Sequence, residues 1–214
     1  MRKIIYFHVC AVGNWYEVYK EIMDSIFSFG LIDESELNIC VCGNIDDFKT
    51  TKNKYSHENI CFSYIGYDIS NFEFPTLRSL YIDALSDVDD TYYLYIHTKG
   101  VTRNESSVAG WRKYMTYFNV ERWRDAVLLL DEYSAIGVDY QEADNFMGKV
   151  GWFAGNFWWT KSSHVKKLVD PGSYNDRLCA EFWLGTVDKD NFFTVWQSNN
   201  NHYQNYYPES SYKR

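Results

Sequence analysis

The first hundred residues alternate between continuous apolar runs and segments with a helical apolar period. Residues 3–12 (Lys-Ile-Ile-Tyr-Phe-His-Val-Cys-Ala-Val) predict a central strand, broken by Gly13-Asn14. Asn14 is placed to cap the next element, a helix in which Trp15, Val18, Tyr19, Ile22, Met23, Ile26 and Phe27 share one face up to Gly30. Leu37 to Cys42 reads as a second strand ended by Gly43-Asn44, and residues 59–65 as a third. Pro75 and Thr76 open a helix with Leu77, Leu80, Tyr81, Ala84 and Leu85 on one side. The turn Asp87-Val88-Asp89-Asp90 then leads into a strand from Tyr92 to His97.

The second half is less regular. Residues 108–132 predict one or two helices carrying Trp111, Tyr114, Met115 and Phe118, then Trp123, Val127 and Leu130. A short strand at 135–139 and a glycine-punctuated aromatic stretch from Gly151 to Trp159 come next. Two shorter helices (about 162–169 and 177–185), a strand at 192–196 and a polar tail rich in Asn and Tyr complete the chain. Strands alternating with helices predict an α/β fold with a central, mainly parallel mixed sheet of about six strands flanked by helices. No repeat or low-complexity linker divides it, so residues 1–205 are expected to form one domain, with 206–214 a tail or the start of a linker to further domains.

Composition narrows the function classes. The 214 residues carry 21 Lys+Arg against 29 Asp+Glu, a formal net charge of -8, which argues against a general nucleic-acid binder. No apolar run approaches the roughly 18 residues of a membrane span, and the basic start Met1-Arg2-Lys3 lacks a small-residue cleavage site, so it reads as the beginning of a strand. The five cysteines, at 10, 40, 42, 61 and 179, form no zinc-ligand spacing; they read as buried reduced thiols of a cytoplasmic protein. With 19 Tyr, 14 Phe and 8 Trp, some aromatic faces must stay exposed, where they suit sugars and bases.

In such a sheet ligands bind beyond the carboxyl ends of the strands. That selects three loops: after Val12, around Tyr67-Asp68, and His97-Thr98-Lys99-Gly100. The first holds only Gly13, so neither a dinucleotide fingerprint nor a P-loop is supported. The third offers a cation (Lys99), a hydroxyl (Thr98), a close backbone approach (Gly100) and a ring for a metal or phosphate (His97), with Arg103, Trp111 and Arg112 downstream. Read simply as a polar strand end, the same residues leave Lys99 in solvent. Asp87-Val88-Asp89 is either a metal-binding pair or a solvated turn, and its place before a strand favours the turn. Gly155-Asn156-Phe157-Trp158-Trp159 sets an amide among large aromatics, as a sugar pocket or as a packed edge strand. Arg177 and Glu181 are four apart on one helix, either a structural ion pair or a carboxylate near a reacting sugar carbon. His202 is a late metal ligand or part of a disordered tail.

Taken together, Tyr95-Ile-His-Thr-Lys-Gly100, Trp111-Arg112, Gly155-Asn-Phe-Trp-Trp159 and Glu181-Phe-Trp183 resemble viral and bacterial glycosyltransferases of the GT-A type. The nearest resemblance is to the N-terminal domain of a chlorella-virus multidomain enzyme of capsid-glycan synthesis. This implies a Rossmann-like, nucleotide-sugar-binding domain that uses a UDP-sugar such as UDP-glucose with Mn2+ (or Mg2+), working on a glycan acceptor in the host-cell cytoplasm. It also implies uridine contacts at His8, Val9, Ala11 and Tyr16, with Arg78 on uracil or diphosphate. Metal-dependent GT-A enzymes mostly carry Asp-x-Asp where this chain has His97-Thr98-Lys99. Either His97 with a distant partner such as His202 holds the ion, or Lys99 and neighbouring cations replace it. The expected reaction is hexosyl transfer to an acceptor hydroxyl. Asn156, Trp158 and Trp159 would shape the pocket, and Glu181 would stabilise an oxocarbenium-like centre or act as base or nucleophile. Retention is expected because no second catalytic carboxylate stands out. The alternatives are a non-catalytic glycan- or nucleotide-binding module and a nucleotide-sugar hydrolase.

Overall fold

Strand β1 (Lys3–Ala11) pairs in parallel with β2 (Glu36–Gly43) on one side and β4 (Tyr92–His97) on the other, and β3 (Ile60–Gly66) adds to β2. The computed structural model describes residues 1–213. Beyond β4 the sheet continues through β8 (Trp158–Lys161), which is antiparallel to both neighbours, to β5 (Ala135–Val138) and the parallel β9 (Phe192–Trp196). The order is therefore β3-β2-β1-β4-β8-β5-β9, seven strands with one reversed. This is the expected α/β architecture with one strand more than predicted.

Alternation along β1 explains the two layers. Ile5, Phe7, Val9 and Ala11 face helix α1 (Trp15–Ser28), α4 (Ser106–Thr116) and α5 (Trp123–Leu129) in the larger core. Ile4 and Tyr6 face α3 (Phe74–Ser86) and the short helices α6 (Ser162–Val165) and α7 (Arg177–Phe182) in the smaller one. Helix α1 buries Trp15, Val18, Tyr19, Ile22, Met23 and Ile26, and full burial of such side chains stabilises by roughly 1.5–3 kcal/mol each. Helix α2 (Ile45–Thr51) is capped by Asn44, whose side chain accepts from the Asp47 amide at 3.2 Å. Asn14 makes no such cap; its side-chain amide donates to Asn104 instead.

Several expectations give way. A two-stranded hairpin that the sequence reading lacks, β6 (Tyr140–Asn145) and β7 (Gly148–Phe153), lies outside the main sheet and runs into the start of the aromatic stretch. In β6 the adjacent Gln141 and Glu142 are both exposed, which breaks the period-2 alternation that marks a half-buried strand. The helices predicted at 162–169 and 177–185 are single turns or little more, α6 and α7. Between α4 and α5 the chain makes a π-turn over 117–121. All five cysteines are free thiols, and Cys61 is exposed rather than buried as expected. The polar tail is packed: Tyr212 is 2% exposed within the larger core and His202 is buried. Asp87 accepts from the Tyr93 hydroxyl and Asp90 from Ser162 and Ser163, so two of the turn's three carboxylates are spent on structure. No helix among the described residues is long and apolar enough to cross a membrane.

Candidate active site

Because β1, β2 and β4 run parallel, their carboxyl ends finish together, with His8 in register with His97 and Cys10 with Cys42. A cleft of about 650 Å3 opens there, bounded by the start of α3, the 97–103 loop and α7. The 97–103 loop is fixed from below. The Thr98 amide donates to the His8 carbonyl at 3.0 Å, and the Thr98 hydroxyl oxygen accepts from the Cys10 amide at 3.0 Å. Arg112 donates to the Lys99 carbonyl at 3.0 Å while its guanidinium forks onto Glu21 at 2.9 and 3.1 Å. Gly100 has φ +82°, and a Cβ there would stand 2.5 Å from Val108 Cγ1, so the turn requires glycine.

Three cations converge on the cleft: Lys99 from the loop, Arg103 from its far end, and Arg177 at the start of α7. Among the described residues none of the three has a carboxylate within ion-pair distance. Of the two readings of Arg177 and Glu181, the structural ion pair is thus not made. Lys99 lies 4.3 Å from the centroid of Trp111, and burial pushes its ammonium down, with Glu181 and Glu73 pulling the other way. Unpaired cations on a partly desolvated wall are a receptor for a polyanion.

Two carboxylates face them. Glu181 lines the cleft with no hydrogen bond or ion pair among the described residues. Glu73, which does not stand out in the sequence, immediately precedes α3, makes no side-chain capping bond to it, and sits 3.6 Å from His97 Nδ1. Burial, then the charge of Glu181, pushes the Glu73 carboxyl up, and its Oε2 is buried without a partner. Trp111 Nε1 is a second buried polar atom with no partner. Orphaned polar atoms beside a cleft call for a ligand. The signal for Glu73 is an acidic residue two before Pro75, where the sequence already places a helix N-terminus.

Of the remaining candidate residues, His8, His97 and Asn156 line the cleft and the others lie outside it. His97 donates through Nε2 to the Gly155 carbonyl at 3.0 Å; burial pushes its pKa down to about 3, so the ring is neutral. His8 is likewise neutral, lowered to about 4 by burial, with Nδ1 on the Thr76 hydroxyl at 2.8 Å. Val9 and Ala11 point into the opposite core, and Tyr16 packs against that core. Trp158 and Trp159 are also buried, at 1% and 0% exposure, so their rings pack the two cores and do not line this cleft. Asn156 takes a left-handed backbone (φ +61°), its side chain accepting from Trp158 Nε1 at 2.7 Å and donating to the Ala180 carbonyl at 3.4 Å. Its amide positions the helix that carries Glu181. Arg78 is exposed and pairs with Asp170 at 3.4 Å, away from the three cations.

The metal implied by the GT-A resemblance finds no fitting donor set. His97 Nε2 is engaged by a carbonyl. His202 lies between Asp139 and Asn200, with Nε2 2.9 Å from the Asp139 carboxylate. His97 and His202 therefore form no pair of free ligands. Among the described residues no group of three or more His, Cys, Asp or Glu side chains is arranged to hold an ion.

A second cleft, of about 620 Å3, adjoins the first and shares Trp111, Glu181 and Tyr203 with it. Of the five described non-glycine residues with positive φ, four (Phe72, Asn156, Asp139 and Asn199) line one cleft or the other. Such backbone persists where the surroundings impose it, and it gathers at binding sites. All of the second cleft, and the first apart from His8, Cys10 and Val12, lies within the span of a known family. The model of DUF8361, described as a domain of unknown function, matches residues 15–210. The chain belongs to DUF8361. No curated protein matches it. Its fold is similar to a protein of Desulfovibrio desulfuricans G20 assigned as a nucleotide-diphospho-sugar transferase, with 12% identity, TM-score 0.52, and 92% and 81% of the two chains covered. It is similar too to 4-diphosphocytidyl-2C-methyl-D-erythritol synthase of Anaerococcus prevotii DSM 20548, with 10% identity, TM-score 0.50, and coverage of 92% and 89%. At these identities the likeness establishes that this DUF8361 chain has the α/β fold of such proteins.

The buried imidazoles give the site a pH signature. An unfolded histidine takes up a proton below its ordinary value of 6.5, whereas His97 and His8 stay neutral in the fold down to about 3 and 4. Stability therefore falls as pH drops from 6.5 toward those values, by about 2 kcal/mol per histidine at pH 5. Glu73, raised by burial, works in the opposite direction, since protonation favours its folded form. Denaturant unfolding at pH 7 and pH 5 should show His97→Gln losing about 2 kcal/mol less than the wild type. Equal losses would mean that His97 is protonated in the fold.

Proposed function

We propose that this chain is a glycosyltransferase that moves a hexosyl group from a UDP-sugar to a hydroxyl of a glycan acceptor. The observation that carries the reading is the set of unpaired cations Lys99, Arg103 and Arg177 over a cleft that also holds the unpaired Glu181. The cations receive the diphosphate, and their charge offsets the negative charge that grows on the departing UDP. In the reaction the bond from C1 to the β-phosphate oxygen breaks with its electron pair leaving on UDP. The acceptor oxygen bonds to C1, and its proton passes to Glu181, which faces both clefts. Glu73 is a second carboxylate in the donor cleft, so retention no longer follows from a lone carboxylate.

Transfer of a nucleotidyl group from a triphosphate is less well supported. The turn after β1 offers no open amide cradle: the Asn14 amide is bonded to the Val101 carbonyl at 2.9 Å, and a Cβ on Gly13 would stand 2.0 Å from that same oxygen. The uridine and the capsid-glycan setting rest on the GT-A resemblance alone.

Thermal unfolding with UDP, GDP and CMP, each with and without Mn2+, tests the donor site. UDP at one hundred times its Kd stabilises by about 2.7 kcal/mol, a rise of roughly 5–10 °C at this chain length. The expected result is that rise for UDP in the absence of Mn2+ as well as in its presence. No rise with any nucleotide would overturn the donor assignment and leave a glycan-binding module.

A further inference from the structure

The second cleft differs from the first in chemistry. Its polar wall is made of amides: Gln141 from the β6–β7 hairpin, and Gln197, Asn199, Asn200 and Asn201 from the segment after β9. Its apolar wall is Trp152 and Phe182, whose rings meet edge to face at 4.9 Å, with Trp111 and Tyr203 at the end shared with the donor cleft. No lysine or arginine among the described residues lines it. Of its two carboxylates, Asp139 is spent: it accepts from the Ser198 amide at 2.5 Å and hydroxyl at 2.8 Å, and from His202 Nε2 at 2.9 Å. The other is Glu181, at the junction.

The amide wall is held in place. His202 stacks on Trp111 (5.3 Å, 8° between planes) and on Tyr114 (5.3 Å, 23°), and its Nδ1 accepts from the Asn200 side chain at 3.2 Å. Asp139 and Asn199 both take left-handed backbone, at φ +50° and +55°. A polar segment this firmly pinned is a preformed wall, and preformed walls lose little entropy on binding.

We propose that the second cleft is the acceptor site and that it takes an uncharged saccharide, one sugar face lying on Trp152 and its hydroxyls bonded by Gln141 and the 197–201 amides. Amides both donate and accept, as sugar hydroxyls do, and an aromatic ring covers the apolar face of a pyranose. With no cation on the walls and Glu181 at the end, a uronic acid or phosphorylated sugar would be repelled. The placement rests on the transferase reading for its role, since it delivers the reacting hydroxyl to Glu181. The binding itself does not.

Saturation-transfer NMR on the whole chain would use the methyl α- and β-glycosides of glucose, galactose, mannose and xylose, with glucuronic acid and glucose 6-phosphate as charged counterparts. UDP would be titrated separately. At least one neutral glycoside should bind saturably without UDP, Trp152→Ala should weaken it by tenfold or more, and Trp152→Phe should restore most of the affinity. Gln141→Ala, at an exposed strand position, gives the same answer if the tryptophan variant fails to fold. Neither change should move UDP affinity more than twofold. The proposal is overturned if no neutral glycoside binds, if Trp152→Ala and Gln141→Ala leave binding unchanged, or if the charged sugars bind better. UDP failing while the glycosides bind would instead sink the donor site and spare this one.

Discussion

Glu181→Gln is expected to lower the transfer rate by about 10²- to 10⁴-fold, the range for removal of a proton-transferring group, while the protein stays folded and still binds UDP. The substitution preserves shape and removes both the negative charge and the capacity to take a proton at the point where the two clefts meet. It spares the fold because Glu181 holds nothing else. Helix α7 is fixed by Asp176, which caps it at the Leu178 amide, by Asn156 on the Ala180 carbonyl, and by Trp183 Nε1 on the Val169 carbonyl at 2.8 Å. UDP should bind at least as well, since a negative charge has been removed from beside the diphosphate. Release of UDP from a panel of UDP-hexoses, monitored with and without a glycoside acceptor, reads the rate, and the UDP-induced rise in unfolding temperature reads the binding. Transfer at near wild-type rate in the folded variant would remove Glu181 from the chemistry. Release of free sugar without an acceptor would point to a hydrolase instead.

How much of the fold and the site is legible in the sequence depends on whether neighbours in space are neighbours in the chain. Strands β1, β2 and β4 are readable because each is buried on both faces and so runs almost continuously apolar, as in Ile4 to Val9. The hairpin is not, because in β6 Gln141 and Glu142 are exposed side by side and the other positions are at most partly covered, so no alternation is left to read. Lys99 and Glu181 stand out as strand-end and helix-face positions. Glu73 does not, because its meaning comes from His97 and Lys99, each more than twenty residues away. Of the conspicuous motif Asn156 to Trp159, Asn156 lines the first cleft while the three rings that follow are packing: large aromatics at a sheet centre and in a sugar pocket share one composition, and only burial separates them. Conversely the Asn-rich segment, which reads as a tail, forms a pocket wall, because buried contacts distant in the chain hold it, among them His202 to Asp139 across 63 positions and the stacking of His202 on Trp111.

Lys99→Met should abolish most of the UDP-induced stabilisation and yet leave the ligand-free protein as stable as the wild type or more so. The two halves have one cause. Lys99 is pressed against Trp111, with no carboxylate in ion-pair range and its ammonium pushed down by burial. Holding it there costs folding free energy that a ligand anion would offset. Methionine keeps the length of the stem over the indole, where a thioether packs well, and it gives up only the charge. A hydrogen bond between charged partners contributes about 1.5–3 kcal/mol, so UDP affinity should fall roughly 10- to 150-fold by the tenfold-per-1.4 kcal/mol relation. Loss of the cation–π contact, about 0.5–2 kcal/mol, works against the gain in stability and sets its ceiling. Lys99→Arg is the informative companion: the charge stays and a guanidinium also stacks on an indole, but its longer planar fork sets the charge elsewhere than a compact ammonium does, so affinity should recover only in part. Calorimetric titration of UDP at two salt concentrations checks the electrostatic origin, because removing a diphosphate contact should also flatten the salt dependence. A Met variant that binds UDP as the wild type does, or that unfolds several degrees lower without ligand, would mean that Lys99 is a structural cation and that the diphosphate, if it binds, rests on Arg103 and Arg177.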